Sequence, residues 1–169
     1  MKIIGLKRLT VKLLSHNPKW KDVFEVEAKK LRKLFLHVEH IGSTAIEGIK
    51  AKPIIDIIAG APSMARSKEY IGPLKKIGFE LRPFGGPSKH LLFVKGKESN
   101  RTHYLHLIKF NGQIWKNDLF FRDYLNKNKK AALAYEKLKL LLARKFADER
   151  SKYTKAKWKF IKNIISKRR

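Results

Sequence analysis

The sequence predicts an α+β fold in which a mixed β-sheet of about five strands is covered by helices. A helical pattern opens the chain, extended segments occupy its middle, and helical patterns run from residue 113 to the end. The chain has 169 residues, a usual size for one domain. We therefore predict a single domain over 1–169 with a helical C-terminal part over 113–169.

The first helix is predicted over residues 18–36. Asn17 can cap it, and Pro18 suits its first position. Trp20 and Phe24 then begin an apolar series at helical spacing, which continues to the predicted end of the helix.

Extended segments rich in β-branched and aromatic residues follow this helix. A helical stretch over 63–77 separates the second from the third, and Pro73 kinks that helix or delays its start. The last two strands are expected to form a hairpin around residues 96–100. The predicted strands are 37–41, 53–59, 79–82, 90–95 and 102–108.

The net charge of the chain is unusually high. Forty Lys and Arg residues oppose fourteen Asp and Glu residues, which gives +26. Such a surface attracts polyanions by long-range steering. The charge is typical of a nucleotide, phosphorylated-ligand or nucleic-acid binder, and equally of a lysine-rich protein that uses charge for solubility.

Composition excludes several classes of protein. There is no cysteine, so disulfides, thiolate catalysis and Cys-ligated metal centres are excluded. No apolar run approaches the roughly 20 residues that span a bilayer. Lys7, Arg8 and Lys12 interrupt the apolar start, which does not resemble a signal peptide, so a cytoplasmic location is expected. The oligomeric state is not predicted.

Two sequence elements are candidates for chemistry. Asp56 lies in an apolar predicted strand, where a carboxylate is rare and costly unless paired. Gly42-Ser43-Thr44 follows the preceding strand and can form an anion-binding turn, with two hydroxyls as further donors. Each element also has a purely structural interpretation: Asp56 can be paired with a neighbouring cation or backbone amide, and the turn can act only as a helix cap.

The spacing of these elements resembles the signature of the nucleotidyltransferase superfamily, because twelve residues separate Ser43 from Asp56. The chain resembles one branch of it, the GrpB family, over about residues 10–165. The segments that carry this resemblance are Asn17–Trp20, Glu39–Ala45 with Gly48, Lys52–Ile57, Arg101–Leu107, Phe121–Leu125 and Tyr153–Lys157.

The resemblance implies a nucleotidyltransferase-like fold and a metal-dependent transfer of a nucleotidyl group from a nucleoside triphosphate to an unknown acceptor. In the superfamily, Gly-Ser holds the triphosphate and carboxylates on the next strand hold divalent ions. The matching positions assign phosphate binding to Gly42, Ser43, Thr44, Lys52 and Arg101, and metal binding (Mg²⁺ or Mn²⁺) and catalysis to Asp56. Glu39 and His106 are candidates for assisting the metal, His106 because alternation along its strand can place it beside Asp56. Lys52 and His106 are the further catalytic candidates. His40 and His103 are further motif positions.

Two departures from these patterns weaken the expectation of catalysis. The superfamily usually has a second carboxylate two residues after the first, and here that position is Ile58. The second histidine of the family's paired-histidine motif is replaced by Tyr104. A two-metal site needs bridging carboxylates, so a surviving site would hold one ion. His106 and His40 can equally have structural roles, His40 by orienting the turn.

Three functions therefore remain open at the level of sequence: a nucleotidyltransferase, a catalytically inactive nucleotide- or phosphate-binding protein of the same fold, and a basic nucleic-acid-interaction module. For the third, Lys155 to Lys159 interleave cations with Trp158. The helical spacing of Trp158, Ile161 and Ile165 favours a core position for Trp158 instead.

Overall fold

A five-stranded mixed sheet organises residues 3–82 and 90–168, which are the residues that the computed structural model describes. The strands are β1 His37–Ile41, β2 Ile55–Ala61, β3 Glu80–Leu81, β4 His90–Lys95 and β5 His103–Lys109. Their order across the sheet is β1-β2-β5-β4-β3. Only the β2–β5 pair is parallel; the other pairs are antiparallel. The predicted α+β class with a mixed five-stranded sheet is confirmed.

Six helices flank the strands in the described ranges. They are α1 Lys19–Leu31, α2 Ile71–Lys76, α3 Gln113–Lys127, α4 Lys129–Lys145, α5 Arg150–Ala156 and α6 Trp158–Ile165. Short 3-10 turns occur at Ser43–Ala45 and Ser67–Tyr70. No helix among these residues is long and apolar enough to cross a membrane.

Element boundaries differ from the predictions for local reasons. Helix α1 ends at Leu31 rather than residue 36, because the chain turns there while the Phe35 amide still donates to the Leu31 carbonyl. Pro73 lies in the first turn of α2, where its missing N–H costs nothing, so the helix starts late as expected. The helical C-terminal part contains four helices: Asn128 caps α4 through the Ala131 amide and separates it from α3, and Lys157 separates α5 from α6.

The two faces of the sheet are covered by different elements. On the α1 face, the sheet residues Ile57 and Leu105 pack against Trp20, Phe24 and Leu31. On the opposite face, which we call the α3 face, smaller clusters form; one joins Ile41, Ile58 and Ile108 to Trp115 of α3, and another joins Leu6, Ile54, Val94 and Tyr104. The α3 face also carries Asp56, because side chains alternate along β2.

Candidate functional site

The turn after β1 and the carboxylate of β2 lie against each other. Antiparallel pairing places Ile41 opposite Asp56, so the chain leaves β1 beside that carboxylate. Gly42 adopts φ +72°, and a Cβ added there would lie 2.5 Å from Asp56 Oδ2. Only glycine permits both this conformation and this approach. The Gly42-Ser43 turn and Asp56 therefore form one site, which we call the turn–carboxylate site.

Cations from separate segments surround the turn–carboxylate site. Burial raises the pKa of the Asp56 carboxyl, and the positive charges of Lys52, Arg150 and Lys157 oppose that rise. Burial lowers the pKa of Lys52 well below its usual value, and Arg150 and Lys157 lower it further. Several positive charges facing one carboxylate leave an excess that a polyanion can neutralise.

Two aromatic side chains hold these cations. Arg150 Nη1 donates to the hydroxyl oxygen of Tyr104 at 2.7 Å, and the guanidinium lies 4.8 Å from the centre of that ring. Tyr104 is the residue of β5 directly opposite Asp56. The buried Tyr153 ring has Lys157 Nζ at 4.6 Å and Lys52 Nζ at 5.5 Å from its centre. Cation–π contacts therefore fix the cluster in place.

His40 and Thr44 support the turn from the α1 side. The Thr44 hydroxyl donates to the Ile54 carbonyl at 3.3 Å, so His40 Nε2, 3.0 Å from the same oxygen, is the donor in their hydrogen bond. Burial and the charge of Arg122 lower the pKa of His40 to about 4, which keeps the ring neutral. Its ring also stacks on Phe24. His40 thus orients the turn, as the structural alternative proposed.

Glu39 is held by Arg122 of α3. Arg122 Nη1 donates to Glu39 Oε2 at 2.8 Å and to the His40 carbonyl at 2.9 Å, while Nε donates to Asp123 at 2.7 Å. These groups line a separate cavity of about 400 Å³ at the β1 edge, between α1 and α3.

The remaining motif residues, on β5 and just before it, lie away from the turn. Arg101 bonds the Gly96 carbonyl in the β4–β5 loop and is 3.8 Å from Glu98. His103 is buried on the α1 face, edge-on to Phe79. His106 is on the α3 face, but it lies opposite Ile58, and its Nδ1 is 2.8 Å from His90 Nε2. Burial lowers the pKa of His106 to about 4.

Comparisons with known proteins give this arrangement a family. The model of the GrpB protein family matches residues 10–167. This chain belongs to the GrpB family. A relative in Alkalihalophilus pseudofirmus, the glutamate-rich protein GrpB, is 32% identical over 172 residues, which are 97% of this chain and 99% of that protein.

Solved structures show the same fold. The crystal structure of GrpB from Enterococcus faecalis aligns with a TM-score of 0.83 and 34% identity, over 92% of this chain and 96% of that one. The Cid1 poly(U) polymerase, crystallised with MgATP, aligns with a TM-score of 0.53 and 12% identity. That alignment covers 77% of this chain and 44% of the polymerase. The nucleotidyltransferase-like fold that the GrpB resemblance implied is confirmed.

Asp118 is an acidic residue of this GrpB chain that the motif search missed. It lies on α3 between Trp115 and Leu119, which pack against the sheet. Burial, together with the charge of Asp56, raises its pKa to about 7. A charged residue on the apolar face of a predicted helix was the available signal, because Trp115 and Asp118 are three positions apart.

The carboxylates and imidazoles do not converge into a larger metal-binding group. Across 3–82 and 90–168, no three or more His, Asp or Glu side chains form a cluster able to hold an ion. Glu39 and His106 both lie opposite Ile58, which is two residues after Asp56 on β2. Ile58 is fully buried beside Trp115. Apolar packing thus occupies the position of the superfamily's second carboxylate.

Proposed function

We propose that this GrpB protein binds a nucleoside triphosphate at the turn–carboxylate site and transfers its nucleotidyl group to an acceptor hydroxyl. The observation that carries the proposal is the close contact of Gly42 with the Asp56 carboxylate. The positive charges of Lys52, Arg150 and Lys157 act on the same carboxylate. The fold shared with an MgATP-bound polymerase supports it.

The turn and the cations would bind different phosphates of the nucleotide. The Gly42 and Ser43 backbone amides and the Ser43 hydroxyl suit a phosphate of the ligand, because a tight turn presents several donors to one anion. Lys52, Arg150 and Lys157 neutralise the other phosphates. Thr44 supports the turn instead, since its hydroxyl is already bonded to Ile54. Arg101 and His103 have structural roles in this proposal.

The donor set fits one divalent ion that arrives with the nucleotide. Mg²⁺ is commonly held by one or two carboxylates together with substrate phosphates and water. Asp56 would hold it, with Asp118 as the second nearby carboxylate. The ion would neutralise charge that develops on the phosphates during transfer.

The transfer step exchanges one bond to phosphorus for another. The acceptor oxygen forms a bond to the α-phosphorus while the bond from that phosphorus to the bridging oxygen breaks, and pyrophosphate leaves. The hydroxyl proton passes to solvent water, because Asp56, as the ligand of the ion, is not free to accept it. Lys52, Arg150 and Lys157 hold the leaving group, because they face the same carboxylate.

Calorimetry tests the binding half of this proposal. ATP with Mg²⁺ or Mn²⁺ is titrated at moderate salt into wild type, Asp56→Asn and Asp22→Asn; Asp22 is an exposed residue of α1 that undergoes the same chemical change. We expect metal-dependent binding in wild type and Asp22→Asn, and its loss in Asp56→Asn. Equal, salt-sensitive binding in all three would mean that the triphosphate senses only bulk charge.

A binding protein without catalysis is the second candidate. The burial of Ile58 at the position of the second carboxylate favours it. Pyrophosphate release from each nucleoside triphosphate, measured with water and a panel of hydroxyl acceptors, separates the two. Release that disappears in Asp56→Asn supports the transferase; Asp56-dependent binding without release under either metal supports the inactive binder.

A further inference from the structure

Trp158, at the start of α6, is 53% exposed, whereas Trp20 and Trp115 are 1% and 5% exposed. The core position that its helical spacing favoured is therefore wrong. The reason is that α6 buries a different side: Ile164 is buried and Phe160 stacks on Tyr135 at 5.2 Å. An exposed aromatic ring of this size is available to stack on a ligand.

The segment that contains Trp158 is rich in cations. Residues 150–165, which form α5 and α6, contain six Lys and Arg residues and no Asp or Glu. Lys162 Nζ lies 5.9 Å from the centre of the Trp158 ring, and Lys155 and Lys159 are exposed on either side in sequence. A flat ring among cations fits a ligand with both π faces and negative charges.

The cations near Trp158 in sequence differ in exposure. Lys157 immediately precedes Trp158 but contacts the buried Tyr153 ring, which Lys52 also contacts. Lys155, Lys159 and Lys162 are exposed. A single strand that lies along α5 and α6 can bring its phosphates to these exposed lysines while a base stacks on Trp158.

We propose that the surface formed by Trp158, Lys155, Lys159 and Lys162 binds single-stranded nucleic acid. The charge of α5 and α6 selects a polyanion over a neutral protein partner. An anionic membrane is a poorer fit, since Ile164 and Phe160 of α6 face the protein rather than the surface. This surface is separate from the nucleotide site and does not depend on that site being functional.

Fluorescence anisotropy with a labelled 20-nucleotide oligoadenylate RNA tests the proposal across a salt series. Trp158→Ala is compared with Leu133→Ala, which removes another exposed apolar side chain from a neighbouring helix. We expect Trp158→Ala to weaken RNA affinity by at least fivefold, because stacking of one base contributes about that much or more. Leu133→Ala is expected to bind as wild type, and a 20-base-pair duplex to bind more weakly than the single strand.

Two further variants test the charge. Lys162→Gln should weaken binding and lower the salt dependence, whereas Lys75→Gln, an exposed lysine of α2, should do so less. Equal RNA affinity in Trp158→Ala and Leu133→Ala would overturn the proposal, as would equal binding of duplex and single strand. Trp158-dependent binding to phosphatidylserine vesicles with no effect on RNA would assign the surface to a membrane. ATP titrations of Trp158→Ala should match wild type, which separates this surface from the nucleotide site.

Discussion

The two faces of the sheet differ in chemistry although the same strands build both. The α1 face is covered by one continuous apolar cluster that runs from Trp20 to Leu107. The α3 face is divided into smaller clusters, and between them lie Asp56, Asp118 and the cations of α5. The larger apolar cluster lies on the first face, and the buried charges near the turn–carboxylate site lie on the second.

The largest effect expected from this comparison follows truncation of the α1 face. Ile57→Ala removes a fully buried side chain and should lower the free energy of unfolding by about 2–5 kcal/mol. Urea unfolding followed by circular dichroism measures this loss. The folded fraction should keep the ATP affinity of wild type, since Ile57 points away from Asp56. A loss below about 1 kcal/mol would contradict the assignment of the main core to this face.

A smaller loss of stability is expected on replacing Glu27, a buried carboxylate of α1. Burial raises the pKa of Glu27, but hydrogen bonds from Lys95 and Lys30 outweigh it, so the pKa is lowered overall. Because its pKa is lowered, the ionised Glu27 carboxylate stabilises the fold at pH values above the unfolded pKa of 4.5. This contribution is lost as the pH falls through the pKa of the folded state. Glu27→Gln should cost about 1–2 kcal/mol at pH 7, because both lysines keep access to water.

Unfolding at several pH values checks this prediction. The difference between wild type and Glu27→Gln should shrink as pH falls below 4.5. A difference that stays constant with pH would show that the charge of the Glu27 carboxylate does not account for the loss of stability.

The opposite sign is expected on the α3 face. The pKa of Asp118 is raised from 3.8 to about 7, so its protonated form stabilises the fold at low pH. That contribution is lost as pH rises from 3.8 through about 7. Asp118→Asn keeps a neutral side chain and should be more stable than wild type at pH 8, by on the order of 1 kcal/mol. If Asp118→Asn and wild type have the same free energy of unfolding both at pH 5 and at pH 8, the burial of this carboxyl is contradicted.

The sequence predicted the sheet well because its strands carry strong local signals. The β-branched run after Pro53 and the glycine-containing segment before Arg101 give β2 and the β4–β5 hairpin directly. Helix ends were less predictable, since the end of α1 depends on how Phe35 packs in the core rather than on local spacing.

The candidate site was only partly predictable. Gly42 and Asp56 could be paired because both belong to one contiguous motif. Asp118 and Arg150 could not, because they come from α3 and α5, and the packing of those helices on the sheet brings them to Asp56. Among forty basic residues, no sequence pattern singles out Arg150.

The most direct test of the shared turn–carboxylate site compares two glycines. Gly42 and Gly48 have φ +72° and +74°, so replacement by alanine places both variants in the positive-φ region that L residues rarely adopt. A Cβ at Gly42 would displace the Asp56 carboxylate, whereas a Cβ at Gly48 would meet nothing within 4 Å. Each variant is titrated with ATP and Mg²⁺ by calorimetry, after its folding is verified. We predict at least a tenfold loss of affinity for Gly42→Ala and wild-type affinity for Gly48→Ala; equal affinities in the two variants would contradict a site shared by the turn and Asp56.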